Sequence, residues 1–428
     1  KVLKSGYLTM SDRVAEFEGM FAKFCGTKYA LGTNSGTSSI EIPLRAIDVD
    51  GGTVVMPSNT YMATPLAAIK AGARVIFVDC DKNNLQMDPV DLERKIRKDT
   101  RAVVLVHIGG IISPDIEKIM EICRKRGIPL IEDAAHAHGA EFYSQSSVVS
   151  RQSSVIENQR SVGRRQMGDG RWENTGVRGN PTVTEKNSRK EHLSSNVKNR
   201  PIANDRRPTT GDFWKRAGSF GLAGSFSFYP TKVFTTAEGG MMVTDSEEIY
   251  RKGIVLREHG KADHGFNVHT EIGDNWRYSE IHAVLGIQQM KKADYLIGER
   301  RRLAALYDSL LEDIDEVRPL EIPTYVKSSY YKYIVFPDEG ISRDSLKKEM
   351  KDRFGVMLTG EVYADPCHSQ PVFKKYPKYI ANNRNDKFPQ TDYACRHHVC
   401  LPLYPGLTDK EVKYVVDSLK KTLTTNLR

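Results

Sequence analysis

The sequence predicts an α/β protein. Its large domain contains a mostly parallel sheet flanked by helices, and a smaller α/β domain follows at the C-terminus. The main observation is that short apolar runs alternate with helical segments from Val14 to Tyr143, a spacing typical of parallel sheets. With 428 residues, 39% of them hydrophobic, the chain is long enough for two or three domains.

The first half supplies most of the predicted sheet. The apolar runs predict four strands, at Gly52–Met56, Arg74–Asp79, Ala102–His107 and Ile128–Asp133, with helices at Asp88–Arg97 and Asp115–Arg126. Ligands of such sheets bind at the carboxyl ends of the strands, so the residues after each run are the candidates for a site.

The second half completes the large domain and adds the small one. It predicts a short strand and turn at Gly224–Thr231 and strands at Gly240–Thr244 and Tyr331–Phe336. The predicted helices are at Ser246–Arg257, Ser279–Leu311, Ser342–Arg353 and from Thr408 onward. The large domain is therefore predicted to comprise residues 1–143 and 218–315, and the small domain residues 316–428.

Residues 144–217 interrupt this pattern. The segment has no helical or strand period and is rich in Ser, Asn, Arg and Gly, which predicts a mobile polar insertion. It holds 15 Lys and Arg against 7 Asp and Glu, a surplus of 8 out of the formal net charge of +9. The basic charge is thus local, and nucleic acid is not a favoured partner.

Composition favours a cytoplasmic protein. No window approaches the roughly 20 apolar residues of a membrane helix, and the first residues lack a secretory apolar stretch. The six cysteines are dispersed without a C-x-x-C pair, and the Cys395–Cys400 cluster matches no standard zinc spacing, so no metal is predicted. Because the chain starts at Lys1 rather than Met, we expect further residues before it in the natural protein.

Three groups of residues carry candidate chemistry. Asn34-Ser35-Gly36-Thr37 enters a helix, whose free N–H groups suit a phosphate, although a plain helix cap has the same composition. Asp133 ends an apolar strand, where a carboxylate needs either a cation, such as a protonated pyridine nitrogen, or a turn to cap.

The third group surrounds a lysine. Lys232 ends the run Gly224-Ser225-Phe226-Ser227-Phe228-Tyr229-Pro230-Thr231-Lys232, an apolar and aromatic setting that favours the free amine needed to form an imine. Ser227 is close enough in sequence to reach the same phosphate as Thr37. A lone lysine beside aromatic residues is usually a surface residue, so the order of all three groups carries the interpretation.

That order resembles the DegT-type sugar aminotransferases, a branch of the fold-type I enzymes that use pyridoxal 5′-phosphate (PLP) and share the aspartate aminotransferase-like fold. The resemblance implies that the mostly parallel sheet of the large domain is of the seven-strand type. The resemblance spans nearly the whole chain outside 144–217. Its further motifs are Ser5-Gly6-Tyr7, Pro57-Ser58-Asn59-Thr60-Tyr61, Glu132-Asp133-Ala134-Ala135-His136, Glu238-Gly239-Gly240, Gly273-Asp274-Asn275-Trp276-Arg277, His368-Ser369-Gln370-Pro371 and Leu401-Pro402-Leu403-Tyr404-Pro405.

The resemblance implies a role for each matching residue. Lys232 would hold PLP as an aldimine and then move the proton, and Asp133 would keep the pyridine nitrogen protonated. The other implied cofactor contacts are Gly36, Thr37 and Ser227 at the phosphate, Tyr61 stacked on the ring, His136 at the 3′ oxygen, and Asn275 reaching the neighbouring subunit of a homodimer. Tyr7, Arg277 and His368 are the candidate substrate contacts.

The resemblance also implies the reaction. Glutamate or glutamine would donate an amino group to a nucleotide-linked keto-sugar or to a keto-cyclitol. A dehydratase branch of the family has histidine at the position of Lys232, so lysine favours transamination. A PLP-dependent dehydratase or epimerase remains the alternative, followed by an anionic-polymer binder that uses residues 144–217.

Overall fold

The structure is a computed structural model that describes residues 2–144, 214–262, 267–358 and 360–424. The predicted insertion 144–217 therefore lies outside the described residues, apart from Ser144 and the four residues from Trp214. Within the described ranges, no helix has the length and apolar composition needed to cross a bilayer.

The central sheet has seven strands in the order β1-β9-β8-β5-β4-β2-β3. Strands β8, β5, β4, β2 and β3 run parallel to one another, whereas β9 lies antiparallel between β1 and β8. The strands are β1 (Tyr29–Thr33), β2 (Thr53–Pro57), β3 (Arg74–Val78), β4 (Thr100–Val106), β5 (Leu130–Asp133), β8 (Ala223–Ser227) and β9 (Gly240–Thr244). The predicted mostly parallel seven-stranded sheet is confirmed.

Apolar layers cover both faces of this sheet. Along β2, Val55 belongs to one buried cluster and its neighbours Val54 and Met56 to the other, as expected when successive side chains point to opposite faces. The helices of this part are α1 (Val2–Ser5), α2 (Asp12–Cys25), α3 (Gly36–Ala46), α4 (Ala63–Lys70), α5 (Pro89–Lys95), α6 (Ile116–Arg126), α7 (Glu247–Arg257), α8 (Glu280–Met290) and α9 (Ala293–Leu311), with a 3-10 turn at Ile108–Gly110.

The C-terminal part has its own sheet and core. Its antiparallel strands follow the order β10-β12-β13, and Tyr307 and Leu303 of α9 pack into the same cluster as Val335 of β12. The elements are β10 (Val317–Pro319), β12 (Tyr333–Pro337), α10 (Arg343–Phe354), α11 (Pro371–Lys375), α12 (Pro389–His397), β13 (Val399–Leu401) and α13 (Asp409–Leu423), with 3-10 turns at Cys367–Ser369 and Pro377–Tyr379. The smaller C-terminal α/β unit is thus present, while the exact domain boundaries stay predictions.

A third sheet stands where the predicted insertion begins and ends. Strand β6 (Glu141–Tyr143) pairs with β7 (Trp214–Arg216) and β11 (Val326–Lys327), both antiparallel. Tyr143 is the register partner of Trp214, so strands β6 and β7 lie side by side at this point.

Two predicted elements differ from the structure. The single helix expected over Ser279–Leu311 is two helices, because α8 ends at Met290 and α9 starts at Ala293. Strand β1 was not predicted, and it joins the sheet through antiparallel pairing with β9, more than two hundred residues away in sequence.

Candidate active site

The chemically distinctive residues meet at the carboxyl ends of neighbouring parallel strands. Asp133 is the last residue of β5, and its register partner on β8 is Ser225. Strand β8 ends at Ser227, and the turn after it carries Lys232. The fold thus brings together two residues that are 99 positions apart in sequence, at the edge where ligands of such sheets bind.

Asp133 is a buried carboxylate with few partners. Only 5% of the surface of Asp133 is exposed to solvent. Thr64, in the first turn of α4, donates its hydroxyl proton to Asp133 Oδ2 at 2.8 Å, and the Ala135 N–H donates to Oδ1 at 3.2 Å. Burial raises the pKa of Asp133, while these hydrogen bonds and the charge of Lys232 act against the increase. The carboxylate is therefore poised to accept a further cationic donor.

Lys232 lies beside this carboxylate in a half-buried position. Its Nζ is 4.9 Å from the centre of the Tyr331 ring. Loss of solvent lowers the pKa of Lys232 to about 8; Asp133 opposes this change and the charge of Lys332 adds to it. A substantial fraction of the free amine consequently exists near neutral pH, as a nucleophilic lysine requires.

The predicted phosphate turn is formed by α3 and the end of β8. Ser35 caps α3 through its side chain, and the helix starts at Gly36, with Thr37 next in its first turn. A Cβ placed on Gly36 would lie only 2.7 Å from Cβ of Ser227, so glycine permits the two segments to touch. The first-turn N–H groups of an 11-residue helix and the Ser227 hydroxyl thus meet at one place suited to an anion.

His136 forms one wall of the site. Its imidazole stacks on the ring of Tyr331, with a centroid distance of 4.0 Å and an interplanar angle of 19°. The Nε2 atom is 3.3 Å from the hydroxyl of Tyr363, whereas Nδ1 is buried without a hydrogen-bond partner among the described residues. Burial holds the pKa of His136 well below its usual value, so the ring is neutral.

Two further predicted cofactor contacts lie at the rim. Tyr61 is 66% exposed, and its backbone lies beside the hydroxyl of Tyr363. Asn275 is exposed, and its carbonyl accepts a hydrogen bond from Asn34 Nδ2 at 3.1 Å, immediately before the phosphate turn. Their assigned roles stay predictions.

The three candidate substrate contacts differ in their surroundings. Arg277 forms an ion pair with Glu258 at 2.7 Å, so its charge is already balanced. His368 lies 2.7 Å from the Ser58 hydroxyl and stacks on Phe388. Tyr7 is 70% exposed in the N-terminal segment. Their roles also stay predictions.

Several residues of the site were not predicted from the sequence. Thr64 follows the carboxyl end of β2, and the rule that such ends converge could have pointed to it. Tyr331 and Tyr363 belong to the C-terminal half, and no motif signals their contact with His136.

A second buried carboxylate supports the site from behind. Glu132 is fully buried, and it accepts hydrogen bonds from the N–H groups of Gly218, Phe220 and Gly221, each at 2.7 Å, while its Oε2 lies 2.9 Å from His107 Nε2. These bonds fasten the chain that leads into β8 to the strand that carries Asp133.

No group of three or more His, Cys, Asp or Glu side chains in the described ranges is arranged to hold a metal ion. In the Cys395–Cys400 cluster, His398 uses both ring nitrogens for backbone contacts, with Val362 N at 3.0 Å and the Ala394 carbonyl at 2.6 Å.

Comparison with solved structures identifies the fold. The structure of DesV from S. venezuelae, solved with a ketimine intermediate, matches with a TM-score of 0.75 and 24% identity over 98% of this chain and 91% of that one. An aminotransferase from Psychrobacter cryohalolentis matches with a TM-score of 0.75 and 22% identity, covering 100% and 95% of the two chains. The fold is therefore that of the fold-type I aminotransferases.

Sequence relatives cover almost the same length. The UDP-4-amino-4,6-dideoxy-N-acetyl-beta-L-altrosamine transaminase of Campylobacter jejuni (strain NCTC 11168) is 28% identical over 98% of this chain and 92% of its own length. The spore coat polysaccharide biosynthesis protein SpsC of Bacillus subtilis is 27% identical over 98% and 92%. A family model also matches residues 1–155 and 204–420, and the chain belongs to the DegT/DnrJ/EryC1/StrS aminotransferase family.

Proposed function

We propose that this aminotransferase uses PLP at Lys232 and transfers an amino group from glutamate or glutamine. The acceptor is a nucleotide-linked keto-sugar or a keto-cyclitol. The observation that carries the proposal is the placement of Lys232, with its lowered pKa, beside buried Asp133 at the ends of two neighbouring strands.

The described residues fit PLP. Ser227 and the first turn of α3 form a place for its phosphate, and the close approach at Gly36 would be lost if that residue carried a Cβ. Asp133 can accept a hydrogen bond from a protonated ring nitrogen, and the unpartnered Nδ1 of His136 can donate one to a ring oxygen. When bound, PLP supplies an aldehyde and an electron-withdrawing ring.

Lys232 is suited to two tasks. Because its pKa is lowered to about 8, its amine can attack a carbonyl carbon and, once released, can accept or return a proton at Nζ. The Tyr331 ring lies against Nζ, and the Tyr331 hydroxyl is 3.3 Å from the hydroxyl of Thr231, the preceding residue. These contacts keep the lysine near the end of β8 in both its bonded and its free-amine state.

Asp133 and His136 act as fixed groups. Asp133 can hold a proton on the ring nitrogen because Thr64 and the Ala135 N–H keep its carboxylate oriented. His136 stays neutral, and its stacking against Tyr331 fixes the plane of the imidazole. Both groups are buried, so water does not compete for their hydrogen bonds.

The names of the relatives support the substrate class. One relative is a transaminase of a UDP-linked amino sugar, and another, from Escherichia coli O157:H7, is a GDP-perosamine synthase that is 25% identical over 95% of this chain. Lysine at position 232 supports amino transfer over dehydration.

We propose further that the protein is a cytoplasmic homodimer with shared active sites. All six cysteines are free and buried, which suits a reducing compartment. Ile272, Ile281 and Leu285 are exposed apolar residues in the sequence region around Asn275 and α8, where a second copy would cover them. Sedimentation at micromolar concentration tests this: a monomer would refute the shared site.

The absorption spectrum of the purified protein with PLP tests the proposed function. We expect a visible band of bound PLP that disappears when glutamate or glutamine is added, and no such band in the Lys232→Ala variant. A control variant, Lys348→Ala, removes an exposed lysine of α10 and should behave as the wild type. A PLP band that no amino donor changes would contradict the proposed transfer.

A further inference from the structure

A second lysine lies at the wall of the proposed site. Lys332 immediately precedes β12, and its Nζ is 5.4 Å from the centre of the same Tyr331 ring that Lys232 approaches to 4.9 Å. The two ammonium nitrogens are therefore separated by no more than the sum of these two distances. Consistent with this placement, the charge of Lys332 lowers the pKa of both Lys232 and His136.

Lys332 has no acidic partner in the part of the chain that the structure describes. Glu361, next to Gly360, pairs with Lys347. Asp308 accepts a hydrogen bond from the Tyr333 hydroxyl at 2.6 Å. A half-buried ammonium without a carboxylate is unfavourable, and the surplus cation would suit an anion that arrives with the substrate.

The ammonium of Lys332 is placed by the backbone of a nearby glycine. Gly360 has a positive φ of 75°, and a Cβ there would lie 2.9 Å from Lys332 Nζ. Glycine therefore allows the ammonium to rest against the backbone at this point. Lys332 also lines a cavity of about 340 Å³, together with Arg318, Tyr330 and the acidic residues Asp308 and Glu321.

The other predicted cation does not compete for this role. Arg277 is bound to Glu258, which balances its charge. Lys232 itself must be neutral to attack a carbonyl, so it cannot serve as the permanent cation. Besides Lys232, Lys332 is the cation in the described ranges that lies over the Tyr331 ring, and it forms no ion pair there.

We propose that Lys332 binds an anionic oxygen group of the substrate while the reacting atom is at Lys232. This inference rests on the proposed function. The group is either the carboxylate of the amino donor or a phosphate of a nucleotide-linked sugar, and both would accept charge-assisted hydrogen bonds from the ammonium. The donor carboxylate is favoured, because it is attached to the carbon that carries the reacting nitrogen.

The experiment compares Lys332→Met, which removes the charge, with Lys332→Arg, which keeps it. Lys327→Met is the matched control, because Lys327 pairs with Glu141 at 3.5 Å and is outside the proposed site. For each PLP-loaded variant, the loss of the PLP band is titrated with glutamate, and UDP and GDP are tested as inhibitors of that reaction. A wild type that binds PLP but responds to neither glutamate nor glutamine would count against the proposed function and not against Lys332.

We expect Lys332→Met to raise the glutamate concentration at half-saturation by about ten- to hundredfold, the value of one hydrogen bond between charged groups, with the maximal rate nearly unchanged. Lys332→Arg and Lys327→Met should remain close to the wild type. If the anion is a phosphate, glutamate saturation will be unchanged and inhibition by UDP or GDP will weaken by a similar factor.

Unchanged saturation by glutamate together with unchanged inhibition would overturn the inference. So would a loss of maximal rate alone, because that would indicate a structural role near Tyr331. Should Lys332→Met lose PLP, Lys332→Gln replaces it as the charge-free variant, and the same comparison with Lys332→Arg decides.

Discussion

Replacing Thr64 by valine should slow amino transfer without preventing PLP binding. The hydroxyl of Thr64 donates its one proton to Asp133 Oδ2, because an ionised carboxylate can only accept. Thr60, 2.9 Å from Thr64, must therefore donate to Thr64 in turn. Valine keeps the shape of the side chain and removes this donor.

The magnitude follows from burial. Asp133 is 5% exposed, so water cannot replace the lost hydrogen bond. A hydrogen bond to a charged group contributes about 1.5–3 kcal/mol. If this energy keeps the carboxylate ionised and the ring nitrogen protonated, the rate should fall by about ten- to hundredfold.

Stopped-flow measurement of the glutamate half-reaction is the assay, with Thr60→Val as the control. Loss of the Thr60 donor leaves the bond to Asp133 intact, so its effect should be much smaller. Because loss of the Thr64 hydroxyl further raises the pKa of Asp133, the acid limb of the rate profile should move to higher pH. Equal rates for wild type and Thr64→Val, or equal losses for the two variants, would refute the reasoning.

Three further predictions concern the same region. Gly36→Ala should weaken PLP binding, measured by titration, because its Cβ would lie 2.7 Å from Cβ of Ser227; Gly298→Ala, whose Cβ meets nothing within 4 Å, should not. Glu132→Gln should lower stability to urea by about 1–3 kcal/mol, since one amide oxygen cannot accept all the buried N–H groups that the carboxylate accepts; an unchanged midpoint would contradict this. Capture of PLP by the apoprotein should accelerate as pH rises through about 8, where Lys232 loses its proton; a flat profile would show that free amine is not limiting.

Much of the sheet was predictable because its strands are apolar runs separated by helices. The strands that carry Asp133 and precede Lys232 were both identified from local sequence. Strand β1 was not, because its pairing with β9 is a long-range contact that no local pattern records. The break between Met290 and Ala293 was also hidden, since the residues there include neither glycine nor proline.

The candidate site divides in the same way. Asp133 and Lys232 follow strands, and their residue types fit the chemistry, so their convergence could be predicted. Tyr331 and Lys332 depend on how the C-terminal part packs against the large sheet, and nothing local indicates that their side chains reach Lys232. Arg277 is a residue that the sequence did suggest as a substrate contact. Its ion pair with Glu258, which balances its charge, is a tertiary contact that the sequence does not reveal.

The pairing of Tyr143 in β6 with Trp214 in β7 makes the connection between these two strands a suitable place for replacing or inserting sequence. Antiparallel partners have Cα atoms about 5 Å apart, so any connecting peptide begins and ends at nearly the same place. Each doubling of the connection would cost only about 0.6 kcal/mol in closure entropy. We expect that residues 145–213 can be exchanged for a short turn or a foreign domain while the seven-stranded sheet keeps its geometry, which would make this position useful for fusing a reporter to the enzyme.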